Sequence, residues 1–306
     1  MQDRFGRFWR VKKGLAAFYS FLLKYRLSSR LFTAFVIEPP KIKEVDFGGF
    51  SIRAHIPGVY MNGWLINGPS KNNEMPTVRF LAKDLRDGDV FYEVGAAWGM
   101  YALICNKMAR LKQCVAFEPQ SLNFAETVRN VYLNNFQNTI VLPLAVGDES
   151  KFDDFYVQAF QTGYGGGAMA DYDRSMFSES SEAMEALRRG EGMANKDPSS
   201  LSPDDDLPAF EWRERVLVMP LDRIISEAKL EWPTHMVIDI DGGEVLCLKG
   251  MEKTLANPAL RALSIEVDEQ TRGEVEKILF AAGFSIEIEK TQSRGNVVYT
   301  RARQGT

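Results

Sequence analysis
Histidine is almost missing from this 306-residue chain, which has only His55 and His235. A histidine-centred catalytic triad or a multi-histidine metal site therefore has too little material. His235 precedes an apolar run, so it is expected at the non-catalytic end of a strand in a structural role. Cysteine is nearly as scarce. Cys105, Cys114 and Cys247 are odd in number and scattered, which excludes a disulfide framework and a zinc pattern and fits a reducing compartment. No apolar run reaches about 18 residues, so no membrane-spanning helix is expected. No stretch reads as a secretory signal with a small-residue cleavage site, and the expected location is cytoplasmic.

The composition, 45% hydrophobic with a net charge of −4, suits one large α/β domain with appendages. The charge is unevenly spread. Between residues 4 and 36, Arg4, Arg7, Arg10, Lys12, Lys13, Lys24, Arg26 and Arg30 are interleaved with Phe5, Phe8, Trp9, Phe18, Phe21, Tyr25 and Phe32. A basic, aromatic helical arm is expected over 1–40, able to lie on an anionic membrane at its cytoplasmic face. Packing of the arm on its own domain, or on a second subunit of a homo-oligomer, accounts for the same residues. So does an Arg-rich organelle presequence. Pro39-Pro40 ends the arm, and a small β element is expected over 41–70.

The main domain is expected over 71–306. A helix at 77–85 leads to strand 89–93, helix 98–109, strand 114–118, helix 121–135 and strand 139–144. A long acidic insertion, about 148–212, carries Gly163-Tyr164-Gly165-Gly166-Gly167, a short helix at 182–189 and Pro203-Asp204-Asp205-Asp206. Such an insertion is either a substrate lid or a surface loop. Strand 215–219, helix 221–229, strand 235–240, helix 244–256, strand 260–267, helix 270–282 and two closing strands near 284–289 and 295–301 complete the pattern. Alternating strands and helices imply a doubly wound α/β domain with a mostly parallel sheet. The last two strands share a short polar turn and pair antiparallel at the C-terminal edge.

The stretch FYEVGAAWGMYALI, residues 91–104, followed by CVAFEP, residues 114–119, is a strand, a glycine turn, a helix and a second strand, with an acid at each strand tip. A dinucleotide fingerprint needs Gly-x-Gly-x-x-Gly to admit a pyrophosphate. Here the spacing is acid-x-Gly-x-x-x-Gly, which points to S-adenosylmethionine (SAM), a nucleoside without phosphate. Gly95, Ala96 and Gly99 would form the turn around its methionine portion. Glu93 would meet the ammonium end, and Glu118-Pro119 would present a carboxylate to the ribose diol. Tyr101 could add cation–π contact, although core packing explains it too. Asn130 and Asn134, one helical turn apart, orient the cofactor loop or cap the helix. Ala145 is small enough to let adenine pass along the backbone. Asp222 is expected to cap the helix after it.

Asp239 and Asp241 close the run VIDID on one face of a strand, Glu244 opens the next helix, and Glu266 closes a neighbouring strand. These four are the candidate catalytic residues, with Asp239 or Asp241 as general base for an alcohol proton. Asp239, Asp241 and Glu266 equally form a candidate magnesium site, while Glu244 could simply stabilise a helix N-terminus.

Several segments together, DVFYEVGAAWGMYAL, VAFEPQ, RNVYLNN, LPLAVGD, VMPLDRII, VIDIDGGEVLCLKGM and LSIEVDE, resemble the FkbM-type family of SAM-dependent O-methyltransferases over roughly residues 75–302. The resemblance implies a seven-stranded sheet of the class I methyltransferase type and methyl transfer to a hydroxyl. Expected acceptors are a sugar, a glycolipid or a polyketide-type scaffold. Two positions depart from the family pattern: Ile238 stands where lysine is usual, and Asp241 where glutamate is usual. Other readings are a nucleic-acid or different small-molecule methyltransferase, a nicotinamide oxidoreductase, and a non-catalytic SAM-binding scaffold. The acidic face and the lack of an Asp/Asn-Pro-Pro-aromatic motif disfavour nucleic acid, and the glycine spacing disfavours nicotinamide.

Overall fold
The computed structural model describes residues 42–46, 50–55, 75–157, 167–169, 212–288 and 295–301. The expected helical arm, the glycine-rich run before Gly167, the helix at 182–189 and the acidic run at 203–206 lie outside the described residues.

Two short strands, β1 (Ile42–Asp46) and β2 (Ser51–His55), form a sheet of their own. They lie within the 41–70 stretch where a small β element is expected; the rest of it lies outside the described residues. Helix α1 (Met75–Asp84) then leads to β3 (Val90–Val94), whose five residues VFYEV are all buried. An uninterrupted buried run is what a central parallel strand covered on both faces requires. The chain continues through α2 (Met100–Met108), β4 (Gln113–Phe117), α3 (Ser121–Leu133) and β5 (Thr139–Leu142).

After this first half the chain forms a second sheet. Strands β6 (Ala145–Val146), β7 (Lys151–Val157), β8 (Gly167–Met169) and β9 (Trp212–Met219) lie in the order β6-β9-β7-β8. The expected insertion is thus partly sheet: β7 pairs antiparallel with β9 along its whole length, Lys151 opposite Val218 and Val157 opposite Trp212. Val216 and Val218 supply the inner face, which packs on Ala145, Phe155 and Val157, while Leu217 and Met219 between and after them pack against the main core.

The second half of the main sheet comes from α4 (Leu221–Ala228), β10 (His235–Ile238), α5 (Glu244–Lys249), α6 (Glu252–Ala256), β11 (Ala262–Val267), α7 (Arg272–Ala281), β12 (Phe284–Ile288) and β13 (Gly295–Arg301). The single helix expected over 244–256 is two. A Cβ on Gly250 would lie 1.8 Å from the Gly147 carbonyl oxygen, so the backbones touch there. Asp222, at the start of α4, accepts the Lys253 and Thr254 N–H groups at 2.6 and 2.9 Å. It therefore caps α6, not the helix that it begins.

The main sheet has seven strands in the order β12-β13-β11-β10-β3-β4-β5. The five from β11 to β5 are parallel. β13 runs antiparallel between β11 and β12, making the C-terminal edge antiparallel. This is the class I methyltransferase arrangement. From β3 the chain winds outward to β4 and β5, then crosses to β10 on the other side. The reversal opens a crevice at the carboxyl ends of β3 and β10, where ligands of such sheets bind.

His235 lies at the opposite end, as the first residue of β10. It is fully buried, with Nε2 3.0 Å from Asp84 and Nδ1 3.0 Å from the Thr234 hydroxyl. Burial lowers its pKa, and its setting is structural. Among the described residues no helix is long and apolar enough to cross a membrane.

Candidate cofactor and active site
The loop after β3 is held from every side. The Gly95 and Ala96 N–H groups donate to the Phe117 carbonyl, both at 3.0 Å. Gly95, Ala97 and Gly99 all have positive φ, at 84°, 50° and 83°. At Gly95 no side chain is possible, because a Cβ would sit 1.9 Å from the Asp239 carbonyl oxygen at the tip of β10. This glycine is required by the neighbouring strand, a reason the spacing alone does not reveal. Ala97 is a non-glycine residue in a left-handed conformation, which costs roughly 1–2 kcal/mol. The surroundings enforce it: its N–H donates to Glu118 at 2.7 Å and its carbonyl accepts from the Thr127 hydroxyl at 3.1 Å.

Glu93 is buried one residue short of the end of β3. Its two oxygens accept the Tyr101 and Ala102 N–H groups at 3.0 and 2.8 Å, so it closes the first turn of α2. Burial pushes its pKa up to about 8 against those two bonds. Glu118 follows β4. Besides Ala97 it accepts the Gln120 N–H at 2.9 Å. Burial pushes it up to about 7, with Glu214 and Asp241 adding repulsion. The hydrogen bonds that the described residues make to these two glutamates come from backbone N–H groups.

Gln120 was not singled out by the motif. It follows Pro119 at the start of α3 and is 2% exposed, yet among the described residues its side-chain amide nitrogen has no hydrogen-bond partner. A buried amide that makes no bond loses its solvation without return. Glu214 of β9 is a second residue that the motif did not indicate. It accepts both the N–H and the hydroxyl of Ser121 at 2.8 Å, which brings the second sheet up to the cofactor end of α3.

Beyond β10, Asp239, Asp241 and Glu266 are half-buried, and a carboxylate oxygen of each lies within 4.8 Å of the others. Asp241 has φ 53° and Gly242 φ 100°. A left-handed aspartate among carboxylates is the kind of strain that collects at functional sites. Glu244 is buried beneath them. It accepts the Gly242 N–H at 3.2 Å, and burial raises its pKa to about 7, with Glu266 and Asp241 contributing. Its hydrogen bonding is that of a helix N-terminus, while its charge belongs to the cluster. Ile238, at one of the two positions that depart from the family pattern, is fully buried in the apolar core.

The side chains of the other sequence candidates have packing or hydrogen-bond partners of their own. Tyr101 and Trp98 are buried in the apolar cluster formed with Phe91 and Leu103. Ala145 packs against Phe155 and Val218 of the second sheet. Asn134 caps the far end of α3, ~20 Å along the helix from Ser121. There it bonds the Arg53 N–H and carbonyl at 3.0 and 2.7 Å. Asn130 does reach the loop, donating to the Trp98 carbonyl at 3.0 Å.

The sequence profile of the methyltransferase FkbM domain matches residues 89–286. Among solved structures, the chain is similar to a methyltransferase FkbM from Methylobacillus flagellatus KT, with 14% identity and a TM-score of 0.41 over 74% of this chain and 58% of that one. This chain thus spans less than two thirds of that protein. It is also similar to M. jannaschii TYW2 in complex with AdoMet, at 10% identity, TM-score 0.40 and coverage of 87% and 89%. A third is a precorrin-6y C5,15-methyltransferase from Geobacter metallireducens GS-15, at 9% identity, TM-score 0.40 and coverage of 73% and 85%. No curated protein matches the chain.

Proposed function
Because this chain belongs to the FkbM methyltransferase family, we propose that it moves a methyl group from SAM to a hydroxyl of a sugar, glycolipid or polyketide-type scaffold. The observation that carries this reading is the pair of buried glutamates, Glu93 and Glu118, set about a glycine loop at the sheet's switch point and held by backbone N–H groups. A cofactor with a sulfonium and an ammonium brings positive charge to this acidic setting. A ribose diol offers donors to Glu118, and the nucleoside offers acceptors to the unbonded amide of Gln120. The residues present therefore fit SAM.

When bound, SAM supplies an electrophilic methyl carbon. The protein then has to position an oxygen in line with that carbon and remove its proton. Asp239 and Asp241 stand at the tip of β10 across from the glycine loop and are proposed to orient the hydroxyl and take its proton. Glu266 lies within 4.8 Å of both, and the buried Glu244 is electrostatically coupled to Glu266 and Asp241. A divalent cation such as magnesium is the second reading of Asp239, Asp241 and Glu266, favoured by their convergence within 4.8 Å. The acidic rim of Glu118, Glu214, Asp239, Asp241 and Glu266 repels a phosphate-rich polymer, so a neutral acceptor is preferred to nucleic acid.

Calorimetric titration with S-adenosylhomocysteine, using NADH as control, tests the cofactor. Micromolar binding of the first alone supports the proposal, and an acceptor screen over sugars and lipid-linked glycans follows. Binding without turnover on any alcohol would favour a SAM-binding scaffold. We further propose a cytoplasmic protein whose residues 4–36 contact an anionic membrane surface. Loss of vesicle sedimentation on deleting them tests that, and the mass of the deleted protein tests the homo-oligomer reading.

A further inference from the structure
Helix α3 buries a polar stripe. Asn123, Glu126, Thr127 and Asn130 are all at most 3% exposed. On one side the stripe holds the glycine loop, through Thr127 to the Ala97 carbonyl at 3.1 Å and Asn130 to the Trp98 carbonyl at 3.0 Å. On the other side it holds strand β2. The His55 N–H donates to Asn130 Oδ1 at 2.8 Å, and the Arg53 N–H donates to Asn134 Oδ1 at 3.0 Å. Asn134 returns a bond to the Arg53 carbonyl at 2.7 Å. The spacing explains the match. Four helical residues rise ~6.0 Å and two strand residues ~6.6 Å, so two asparagines a turn apart act as a neighbouring strand for alternate residues of β2. Glu126 strengthens the seam, with His55 Nδ1 at 2.8 Å and Arg129 at 2.9 Å.

Asn130 bonds both partners, through different atoms. We propose that Asn130 is a positioning residue and that β2 is a brace for the cofactor loop, so that filling the loop tightens β2 and loosening β2 weakens the cofactor site. The effect on cofactor binding rests on the SAM reading above. The bracing of the loop by β2 does not. The coupling free energy runs equally in both directions.

Hydrogen exchange on the full chain, with and without S-adenosylhomocysteine, tests the brace together with calorimetry. Asn134→Ala touches β2 and not the loop. It is expected to speed exchange at the Gly95, Ala96 and Ala97 amides of the free protein and to weaken S-adenosylhomocysteine about three- to tenfold, the range of one hydrogen bond. Asn130→Asp keeps the acceptor for His55 and loses the donor for Trp98. It is expected to weaken the ligand by a similar factor and to abolish ligand-induced protection at Arg53 and His55. Should Asn134→Ala not fold, Asn134→Asp takes its place, keeping the Arg53 N–H acceptor. Unchanged loop exchange in the Asn134 variant, or ligand protection confined to the loop, overturns the brace. A parent protein that ignores S-adenosylhomocysteine overturns the SAM reading instead, and loop exchange in the free variants still decides the brace.

Discussion
Glu118 and Ala97 are joined by a 2.7 Å hydrogen bond from the alanine N–H to the glutamate, across the tips of two adjacent parallel strands. The bond links two features that are 21 residues apart in the chain. The second acid of the motif thereby fixes the left-handed residue of the first loop before any ligand arrives. The carboxylate proposed to bind the ribose and the turn proposed to surround the methionine portion are one unit.

Replacing Glu118 should therefore do two things at once. Glu118→Ala orphans the Ala97 and Gln120 N–H groups, each at a cost of about 1–3 kcal/mol if buried, and removes the diol acceptor. The expected outcome is a lower melting temperature and S-adenosylhomocysteine binding weakened at least tenfold. Binding equal to the parent's, measured by calorimetry, would show that the ribose does not sit at Glu118.

Protonation gives a second handle on the same residue. In the free protein burial raises the Glu118 pKa to about 7 from its ordinary value of 4.5. A carboxyl raised on folding contributes stability that is fully present below the unfolded value and drains away as pH rises through the folded one. Glu118→Gln, whose amide oxygen can accept only one of the Ala97 and Gln120 N–H groups, should cost stability at pH 5, and that cost should shrink or reverse towards pH 8. SAM needs the ionised form, so binding should release protons near pH 6.5, visible as a buffer-dependent calorimetric enthalpy, and the Gln variant should release fewer. An enthalpy independent of buffer would remove ionisation of Glu118 from the binding step.

The reading from sequence succeeded where the signal is local. Strand, glycine turn, helix and acid lie within 30 residues around Glu93 and Glu118, and their order alone places them at a sheet edge. It fell short where partners are distant. β7 pairs with β9 across a long segment, so KFDDFYV was taken into the insertion although its own alternation is faint. Asn134 is expected to orient the cofactor loop or to cap the helix; it is the cap, and only the fold shows Arg53 beside it. Helix 244–256 broke because Gly250 meets Gly147, a contact no periodicity can announce. Gln120 was passed over because burial of a polar side chain leaves no mark in the sequence.

Gly95 is predicted to be intolerant even of alanine. A methyl group there would meet the Asp239 carbonyl at 1.9 Å and would also occupy a φ of 84°. Strain and overpacking together should cost at least about 2 kcal/mol. They should also push the tip of β10 away from the loop, so Gly95→Ala should lose both thermal stability and S-adenosylhomocysteine binding. A variant with parental melting and affinity would mean that the two strand tips are separately mobile.

The carboxylates beyond β10 separate chemistry from binding. Asp239→Asn and Asp241→Asn are each expected to lower kcat by about 100-fold, the usual scale of a general base, while S-adenosylhomocysteine binds within a few-fold of the parent. Excess chelator distinguishes the roles. Activity unchanged in chelator leaves the aspartates as proton acceptor and orienting partner, whereas activity lost and restored by magnesium makes them ligands together with Glu266. Full turnover in both variants would place the base elsewhere.

Gln120 offers the sharpest separation of fold from function. Its side-chain nitrogen is buried and unbonded in the free protein, so removing it should relieve a penalty instead of creating one. Gln120→Met keeps length and volume and deletes the donor. It is expected to raise the stability of the free protein by about 1 kcal/mol and to weaken S-adenosylhomocysteine by about three- to tenfold, the scale of one hydrogen bond. A residue retained only for the fold cannot produce that opposition, because loss of a structural bond lowers stability and affinity together. Affinity that stays level while stability rises would mean that the amide meets no part of the ligand.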